Sequence, residues 1–328
     1  MKISTIYVSE HQYHGYGNIG LNFHHWLPKM GVEILPHDQY GWDRMVIYSP
    51  PRATYLGQTP RPDVIYHTMY EARPVPESWV HILNSVGLVW TPSQWCADVF
   101  AEHGVKTPMM VAGYGYDQAL FTPVNRKGRH GPLKVLVWAD VVVSRKRVLR
   151  SMEVFARADI PGATLEIKLN DPFFTGVAVT NEDGSPADNV RLLTQPMNRK
   201  ELVQWLEQGD VLLYLSGGEG FGLQPMEAMA TGLPVIAMRQ SGHLEYMVEG
   251  SVLEVPSLGF EPAPSLTAIY KEPAFIYSAD LDAAVAHLQW VAANRDAAAV
   301  QGMVGYEAVR HRTWEWAAQC VADQFLSL

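Results

Sequence analysis

Residues 216–232 read SGGEGFGLQPMEAMATG, and this glycine-rich stretch lies between two apolar runs. The runs are DVLLYLS at 210–216 and LPVIAM at 233–238, and both have the length and aliphatic content of buried strands. Only one loop and one short helix fit between them. The order strand, loop, helix, strand is the repeating unit of a parallel sheet, so the stretch indicates an α/β fold.

Two residues fix the predicted helix within this stretch. Pro225 suits the first turn of a helix, where its missing N–H costs nothing, and Gly232 suits the left-handed residue that ends one. We therefore predict a helix over about 225–231. Glu219 then lies in the loop that leads into the helix, and Glu227 lies in its first turn.

Length and composition predict a globular chain with two domains. The 328 residues are more than one compact core usually spans. Hydrophobic residues make up 48% of the chain and charged residues 18%, which is not the composition of a disordered protein. The formal net charge is −9, from 25 basic and 34 acidic residues, and this disfavours nucleic acid as a partner without excluding it.

Cysteine usage and hydropathy predict a cytoplasmic protein. Cys96 and Cys320 are too few and too far apart for a disulfide framework or a cysteine zinc site. No apolar run reaches the ~20 residues that a membrane span requires. We expect reduced thiols, no secretion signal and at most peripheral contact with a membrane.

Apolar runs and amphipathic segments alternate on both sides of a polar stretch at 121–134. This pattern predicts two doubly wound Rossmann-like domains that face each other across a cleft. The predicted parts are an N-terminal domain at 1–125, a C-terminal domain at 126–305, and a final helix at 306–328 that returns to the N-terminal domain. Residues 15–20 are predicted to form a glycine-rich loop in the N-terminal domain.

The glycine-rich stretch has the properties of an anion site. Its glycines let the backbone approach a ligand closely, and the start of the helix directs unpaired N–H groups and a positive dipole end at the same place. A pyrophosphate suits such a site. Carboxylates accept hydrogen bonds from sugar hydroxyls, so Glu219 and Glu227 are suited to hold the rings on the two ends of a diphosphate. Taken alone, Glu219 could simply point to solvent and Glu227 could simply complement the helix dipole. The two glutamates together with the glycines between the strands favour a nucleotide sugar as the ligand.

The segment EGFGLQPMEAMATGLPVIA at 219–237 resembles the E-x7-E signature of retaining GT-B glycosyltransferases of the group 1, family 4-like type. Four further segments of the chain, three before this one and one after it, occur in the order that the family shows. Residues 1–60 match the family poorly. These segments are ESWVHILNSVGLVWTPSQWCADVFAEHGV at 77–105, VAGYGYDQALFTP at 111–123, KRVLRSMEVFARA at 146–158, and RHRTWEWAAQCVADQFLSL at 310–328.

The resemblance implies a reaction and a division of labour between the domains. A hexose-type sugar would pass, with retention of configuration, from a UDP- or GDP-linked donor to a hydroxyl acceptor on a glycan, lipid, protein or small molecule. The donor would bind to 126–305 and the acceptor to 1–125. The reaction would require no metal and no cofactor beyond the donor substrate.

The resemblance also assigns roles to residues of this chain. Glu219 would lie by the hydroxyls of the transferred sugar, Glu227 would accept from the ribose, Lys146 would neutralise the diphosphate, and His67 would lie beside the donor sugar. The remaining donor-binding residues would contribute mainly backbone: Gly220, Phe221, Gly222 and Leu223 from the stretch itself, and Gly15 and Gly17 from the facing loop.

One departure from the family pattern keeps other functions open. The family commonly has an arginine about five positions before the lysine, where this chain has Asp140 and Val141; the adjacent Arg145 is a candidate substitute. This departure motivates one alternative, a catalytically inactive nucleotide-sugar binding protein. A separate alternative, for which the short N-terminal domain leaves room, is a transferase whose acceptor is a modified DNA base.

Several other residues have more ordinary interpretations. Asp280 is expected to be a helix N-cap and not part of a metal-binding D-x-D motif. His67 with Glu71 lacks a third ligand, so a metal pair is less favoured than a structural histidine. Core packing is expected for most of the tryptophans, and a solvated helix face for Arg147 and Arg150. Surface and acceptor-contact roles stay open for His11, His14, His24 and His25.

Overall fold

Two six-stranded parallel sheets, each covered by helices, confirm the predicted pair of Rossmann-like halves. The fold is taken from a computed structural model of the chain. The residues that the structure describes are 1–7, 15–36, 39–56, 60–139, 144–169 and 188–328.

The strands are numbered in chain order. The first sheet has the order β2-β1-β3-β4-β5-β6, the second has the order β12-β11-β10-β7-β8-β9, and β13 and β14 form a two-stranded antiparallel sheet. Their bounds are β1 Lys2–Tyr7, β2 Glu33–Leu35, β3 Arg44–Tyr48, β4 Arg61–His67, β5 Val86–Thr91, β6 Met109–Val111, β7 Lys134–Trp138, β8 Thr164–Lys168, β9 Val190–Leu193, β10 Val211–Tyr214, β11 Val235–Ala237, β12 Leu253–Glu254, β13 Ser257–Pro262 and β14 Phe275–Ala279.

The helices occupy the connections between the strands. The α-helices are α1 Gly15–Trp26, α2 Glu77–Leu83, α3 Gln94–Glu102, α4 Val148–Ala158, α5 Arg199–Gln208, α6 Leu223–Ala230, α7 Pro264–Tyr270, α8 Leu281–Ala293, α9 Arg295–Val309 and α10 Trp314–Phe325. Short 3₁₀ turns lie at Leu27–Met30, Ala53–Tyr55, Ser144–Lys146 and Ser241–Glu245.

Side-chain caps set several helix starts. Asp280 Oδ1 accepts from Ala283 N at 3.0 Å, which confirms the predicted N-cap of α8. Asn198 and Glu201 form a reciprocal capping box at the start of α5. The core interpretation holds for Trp79, Trp90, Trp95 and Trp205, which are all buried, whereas Trp26 is half-buried.

The predicted glycine-rich loop at 15–20 is wrong, because these residues form the first half of α1. Ile19, Phe23 and Leu27 recur every four residues and are buried, so they anchor one face of the helix to the first sheet. Burial of this face outweighs the low helix propensity of the glycines. His11 and His14 lie outside the described residues, and His24 and His25 are exposed on α1.

Helix α6 begins at Leu223 and not at Pro225, so Glu227 lies in its second turn and not in its first. Gly222 precedes the helix with a left-handed φ of 84°, and the first N–H groups of any helix lack intrahelical partners, so Pro225 forfeits no bond. Gly232 has the predicted left-handed conformation, with φ of 67°.

The last helix packs on the first half of the chain. Helix α10 lies against α1 and the turn at Leu27–Met30, and the Phe325 ring is 5.7 Å from that of Trp90 in β5. The domain boundaries at 125/126 and 305/306 stay a prediction.

The carboxyl ends of the two sheets face each other. The loop after β4 reaches the second half, where Arg73 and Phe275 exchange two backbone hydrogen bonds of 2.9 and 2.7 Å. A Cβ placed on Gly218 would lie 1.9 Å from the carbonyl oxygen of Glu71, so only glycine permits this approach. The loop after β4 is therefore in contact with the loop after β10.

Candidate active site

The carboxylate of Glu219 is buried and surrounded by hydrogen-bond donors. It lies in the loop after β10, and only 6% of the residue is exposed. Four polar groups lie around its Oε1 atom: Lys146 Nζ and Arg145 Nη1, both at 2.7 Å, Ser216 Oγ at 2.6 Å and Tyr214 OH at 2.9 Å. This arrangement fixes the orientation of the carboxylate.

The charge of Glu219 is maintained by its two cationic neighbours. Burial by itself favours the protonated form, but the Coulomb attraction of Arg145 and Lys146 outweighs it and lowers the pKa of Glu219 well below its usual value. Glu219 is therefore an ionised acceptor with low basicity.

Lys146 lies in the 3₁₀ turn after β7, the strand beside β10. The residue is 7% exposed, and its Nζ also donates to Tyr214 OH at 2.9 Å and to Gln224 Oε1 at 2.8 Å. An ammonium group has three hydrogens, so Glu219, Tyr214 and Gln224 account for all of them. The lysine is thus placed at the start of α6.

Arg145 points into the same site. Its Nη1 donates to Gly218 O at 2.8 Å, and its Nη2 lies 3.8 Å from Glu71 Oε1 in the other half of the molecule. Asp140 and Val141 lie outside the described residues. Arg147, by contrast, is buried and bonds Leu215 O and Glu261, so its interpretation as part of a solvated face is wrong.

The glycines before α6 are in close contact with protein atoms. A Cβ on Gly220 would lie 2.4 Å from Met69 Cβ, and one on Gly222 would lie 2.7 Å from the ring of His243. The Phe221 side chain is buried with its ring 4.9 Å from that of Tyr114. Residues 220–222 can therefore contact a ligand only through their backbone atoms.

Glu227 is held by an arginine that the sequence reasoning missed. Arg199, the first residue of α5, reaches both carboxylate oxygens, with Nη2 at 2.5 Å from Oε1 and Nη1 at 3.3 Å from Oε2. The Arg199 guanidinium also lies 4.7 Å from the ring of Phe121. The sequence contains no signal for this pair, because the two residues lie on different helices.

His67 is buried in the first half with both ring nitrogens bonded. Its Nδ1 donates to Trp90 O at 3.0 Å, because a carbonyl only accepts, and Nε2 then accepts from Tyr114 OH at 2.9 Å. Burial lowers the pKa of His67 to about 3. Tyr114, the partner of its Nε2, packs on Phe221 of the glutamate loop that follows β10, with ring centroids 4.9 Å apart.

The start of α1 reaches the site indirectly. Gly15 and Gly17 flank Tyr16, whose hydroxyl lies 3.3 Å from Thr68 Oγ1 and accepts from Met69 N at 3.4 Å. The same loop after β4 carries Glu71, whose pKa is raised by burial, against the opposing effect of Arg145. Sequence reasoning weighed Glu71 only as a metal ligand and so missed its place beside Arg145.

A metal site and a membrane span would each have a recognisable signature in the described part of the chain. Within it, no three or more His, Cys, Asp or Glu side chains cluster as a metal ion would require. None of its helices has both the length and the apolar character needed to cross a bilayer.

Comparison with known proteins supports a relationship to group 1 glycosyltransferases. Residues 177–321 match the family described as Family 4 Glycosyltransferase in conflict systems. The chain is 27% identical over 207 residues to the D-inositol 3-phosphate glycosyltransferase of Pseudarthrobacter chlorophenolicus, a match that covers 57% of this chain and 48% of the relative. The chain thus spans about half the length of this curated relative.

Solved structures establish the fold as GT-B. The Anabaena protein Alr3699/HepE, in complex with UDP and glucose, superposes with a TM-score of 0.72 at 14% identity and full coverage of both chains. WaaG, a glycosyltransferase involved in lipopolysaccharide biosynthesis, superposes with a TM-score of 0.66 at 13% identity, over 99% of both chains.

Proposed function

We propose that the protein is a retaining glycosyltransferase that moves a hexose from a nucleotide diphosphate to a hydroxyl acceptor. One observation carries this proposal: Lys146 and Arg145 converge on Glu219 at the N-terminal end of α6. Cations and helix N–H groups suit a diphosphate, and a fixed carboxylate suits the hydroxyls of the attached sugar. The similarity to glycosyltransferases, among them one solved with UDP and glucose, supports a UDP- or GDP-linked donor.

The donor would lie along the start of α6. Glu227 would accept from the ribose while it keeps its pair with Arg199, since a carboxylate has about four acceptor sites. His67, at the end of β4, would lie beside the donor sugar. The backbone of the glutamate loop would contact diphosphate and sugar at Gly220, Phe221, Gly222 and Leu223.

The state of Glu219 bears on the route by which configuration would be retained. Its Oε1 is occupied by several donors and its basicity is low, which makes it a poor nucleophile. We therefore favour attack of the acceptor on the same face, with the departing phosphate taking the acceptor proton. Lys146 and Arg145 would stabilise the charge that develops on that phosphate, so no metal ion is required.

The two halves would divide the substrates. Residues 126–305 would bind the donor, and residues 1–125, with the returning helix at 306–328, would bind the acceptor. The class of acceptor is open; inositol phosphate is the first probe because the curated relative is named for it. A cytoplasmic location is in keeping with the two free cysteines.

The test is turnover with UDP-glucose, UDP-N-acetylglucosamine and GDP-mannose in the presence of EDTA, with myo-inositol phosphate and simple glycosides as acceptors. Release of the nucleoside diphosphate reports activity, and the anomeric coupling in the proton NMR spectrum of the product reports stereochemistry. We expect turnover in EDTA and an anomeric configuration equal to that of the donor.

Three outcomes would overturn parts of the proposal. An inverted product would refute retention, and activity lost in EDTA but restored by Mg²⁺ or Mn²⁺ would refute metal independence. The third outcome is saturable donor binding without turnover for any acceptor, including DNA with hydroxymethylated bases. It would identify a nucleotide-sugar binding protein instead of an enzyme.

A further inference from the structure

A second buried histidine lies beside the start of α6. His243 belongs to the 3₁₀ turn Ser241–Glu245, and 1% of the residue is exposed. Gly242 N donates to Glu219 O at 2.8 Å, and Glu219 N donates to Ser241 Oγ at 3.0 Å. These two bonds fix the position of His243 relative to Glu219.

The turn is held in an unfavourable backbone conformation. Ser241 has a φ of 54°, in the left-handed region that side chains other than glycine seldom adopt. A Cβ on Gly242 would lie 2.2 Å from Gly220 O, so the turn packs directly on the glutamate loop. Strain of this kind is retained where the surrounding structure enforces it, and it gathers at ligand sites.

The hydrogen bonds of His243 define its protonation. Nδ1 lies 2.9 Å from Met238 O, and a carbonyl only accepts, so Nδ1 carries a hydrogen. Nε2 is buried and has no hydrogen-bond partner among the described residues. A Cβ on Gly222, the residue that precedes α6, would lie 2.7 Å from Nε2. The unpartnered nitrogen therefore faces the N-terminal end of the helix.

Burial is the main reason that the ring is neutral when the site holds no ligand. Burial lowers the pKa of His243, Lys146 and Arg145 lower it further, and Glu219 opposes them. The other titratable groups around the ring are Tyr214 of β10 and Tyr246 after the turn, with ring centroids at 5.7 and 6.2 Å. In this state Nε2 has a lone pair and cannot donate to an anion.

We propose that His243 takes up a proton from solvent when a nucleotide diphosphate occupies the start of α6, and that its Nε2–H then donates to a phosphate oxygen. The inference rests on the proposed function and adds a residue to it. The charges of the diphosphate reverse the balance that keeps the free ring neutral. The resulting imidazolium joins Lys146 and Arg145 in stabilising the diphosphate as it departs.

Isothermal titration calorimetry tests this step without turnover. UDP-glucose and GDP-mannose are titrated into the protein at pH 7, without acceptor, in two buffers of different ionisation enthalpy. The diphosphate of an intact nucleotide sugar does not titrate near neutral pH, so a buffer-dependent heat reports protons taken up by the protein. We expect close to one proton per bound donor, and tighter binding as the pH falls from 8 to 6.

The variant His243→Asn keeps a donor for Met238 O and removes the titrating ring. It is expected to bind the donor about 10-fold more weakly, as for loss of a charge-assisted hydrogen bond, with no proton uptake. The control His287→Asn alters a histidine of the same half, whose Nε2 lies 2.9 Å from Glu254 O, and should leave both quantities unchanged.

The outcomes separate this inference from the proposed function. Donor binding to the wild-type protein without proton uptake, or equal uptake in His243→Asn, would refute the role of His243 and leave the donor site standing. Absence of binding for every nucleotide sugar would overturn both. If the variant fails to fold, donor binding to the wild-type protein without proton uptake still refutes the inference.

Discussion

Two buried histidines, one in each half of the molecule, show how differently the two carboxyl ends are used. His67 ends β4 with both nitrogens bonded and its ring 4.2 Å from that of Trp90. His243 lies near the end of β10 with one nitrogen bonded, beside Glu219 and Lys146. Both ring nitrogens of His67 have partners, whereas at His243 an unpartnered nitrogen lies beside a buried charged cluster. That nitrogen leaves the second position open to one further hydrogen bond.

The largest expected effect comes from the charged cluster. Lys146→Met removes the ammonium that contacts Glu219 and Gln224, and we expect kcat to fall by about 10²–10³ because electrostatic stabilisation of the leaving group is lost. Steady-state kinetics at saturating donor measures this. Lys200→Met, at an exposed position in the same half, is the control. A folded Lys146→Met protein with nearly normal kcat would show that the charged cluster does not set the second half apart from the first.

A medium effect is expected for the acid stability of the first half. The pKa of His67 is lowered from 6.5 to about 3 by burial, so between these values the unfolded chain binds a proton that the folded protein does not. The free energy of unfolding should therefore decrease as the pH is lowered, by about 1.6 kcal/mol from pH 6.5 to pH 5 from this residue alone.

Urea unfolding at several pH values, with His67→Gln beside the wild-type protein, measures that contribution. The variant should lose its part of the pH dependence, whereas His81→Gln, at an exposed position, should not. Parallel pH profiles for wild type and His67→Gln would show that His67 titrates normally and is not sealed in the core.

The smallest effect is expected for Glu71→Gln, which tests whether the first half contributes charge to the site. Glu71 lies 3.8 Å from Arg145, beyond hydrogen-bond distance, and the cost of burying its charge offsets much of the attraction, so the pair should contribute less than about 1 kcal/mol. Donor KM should change by less than about 5-fold, since Arg145 keeps its bond to Glu219. Glu102→Gln, which breaks the ion pair with Arg73 on the same half, is the control. A loss of turnover comparable to that of Lys146→Met would place catalytic charge in both halves.

Sequence reasoning was successful where neighbouring residues decide the structure. The alternation of strands and helices, the Asp280 cap and the left-handed Gly232 depend on periodicity and on contacts within a few residues. It failed at residues 15–20, where glycine content suggested a loop but Ile19 and Phe23 bury a helical face. It also misplaced the start of α6 by two residues, because Pro225 is tolerated at several positions of a first turn.

The sequence by itself determined the α/β architecture and the glycine-rich turn into α6, since both follow from local geometry and hydrophobic pattern. Only the tertiary structure decided the partners within the site. Lys146 meets Glu219 across 73 residues, Arg199 meets Glu227 across 28, and His243 closes on Gly222 through a separate turn. Burial selects such pairs: once the second sheet and its helices pack, each charge excluded from water requires an opposite charge or a hydrogen bond within reach, whatever its distance along the chain.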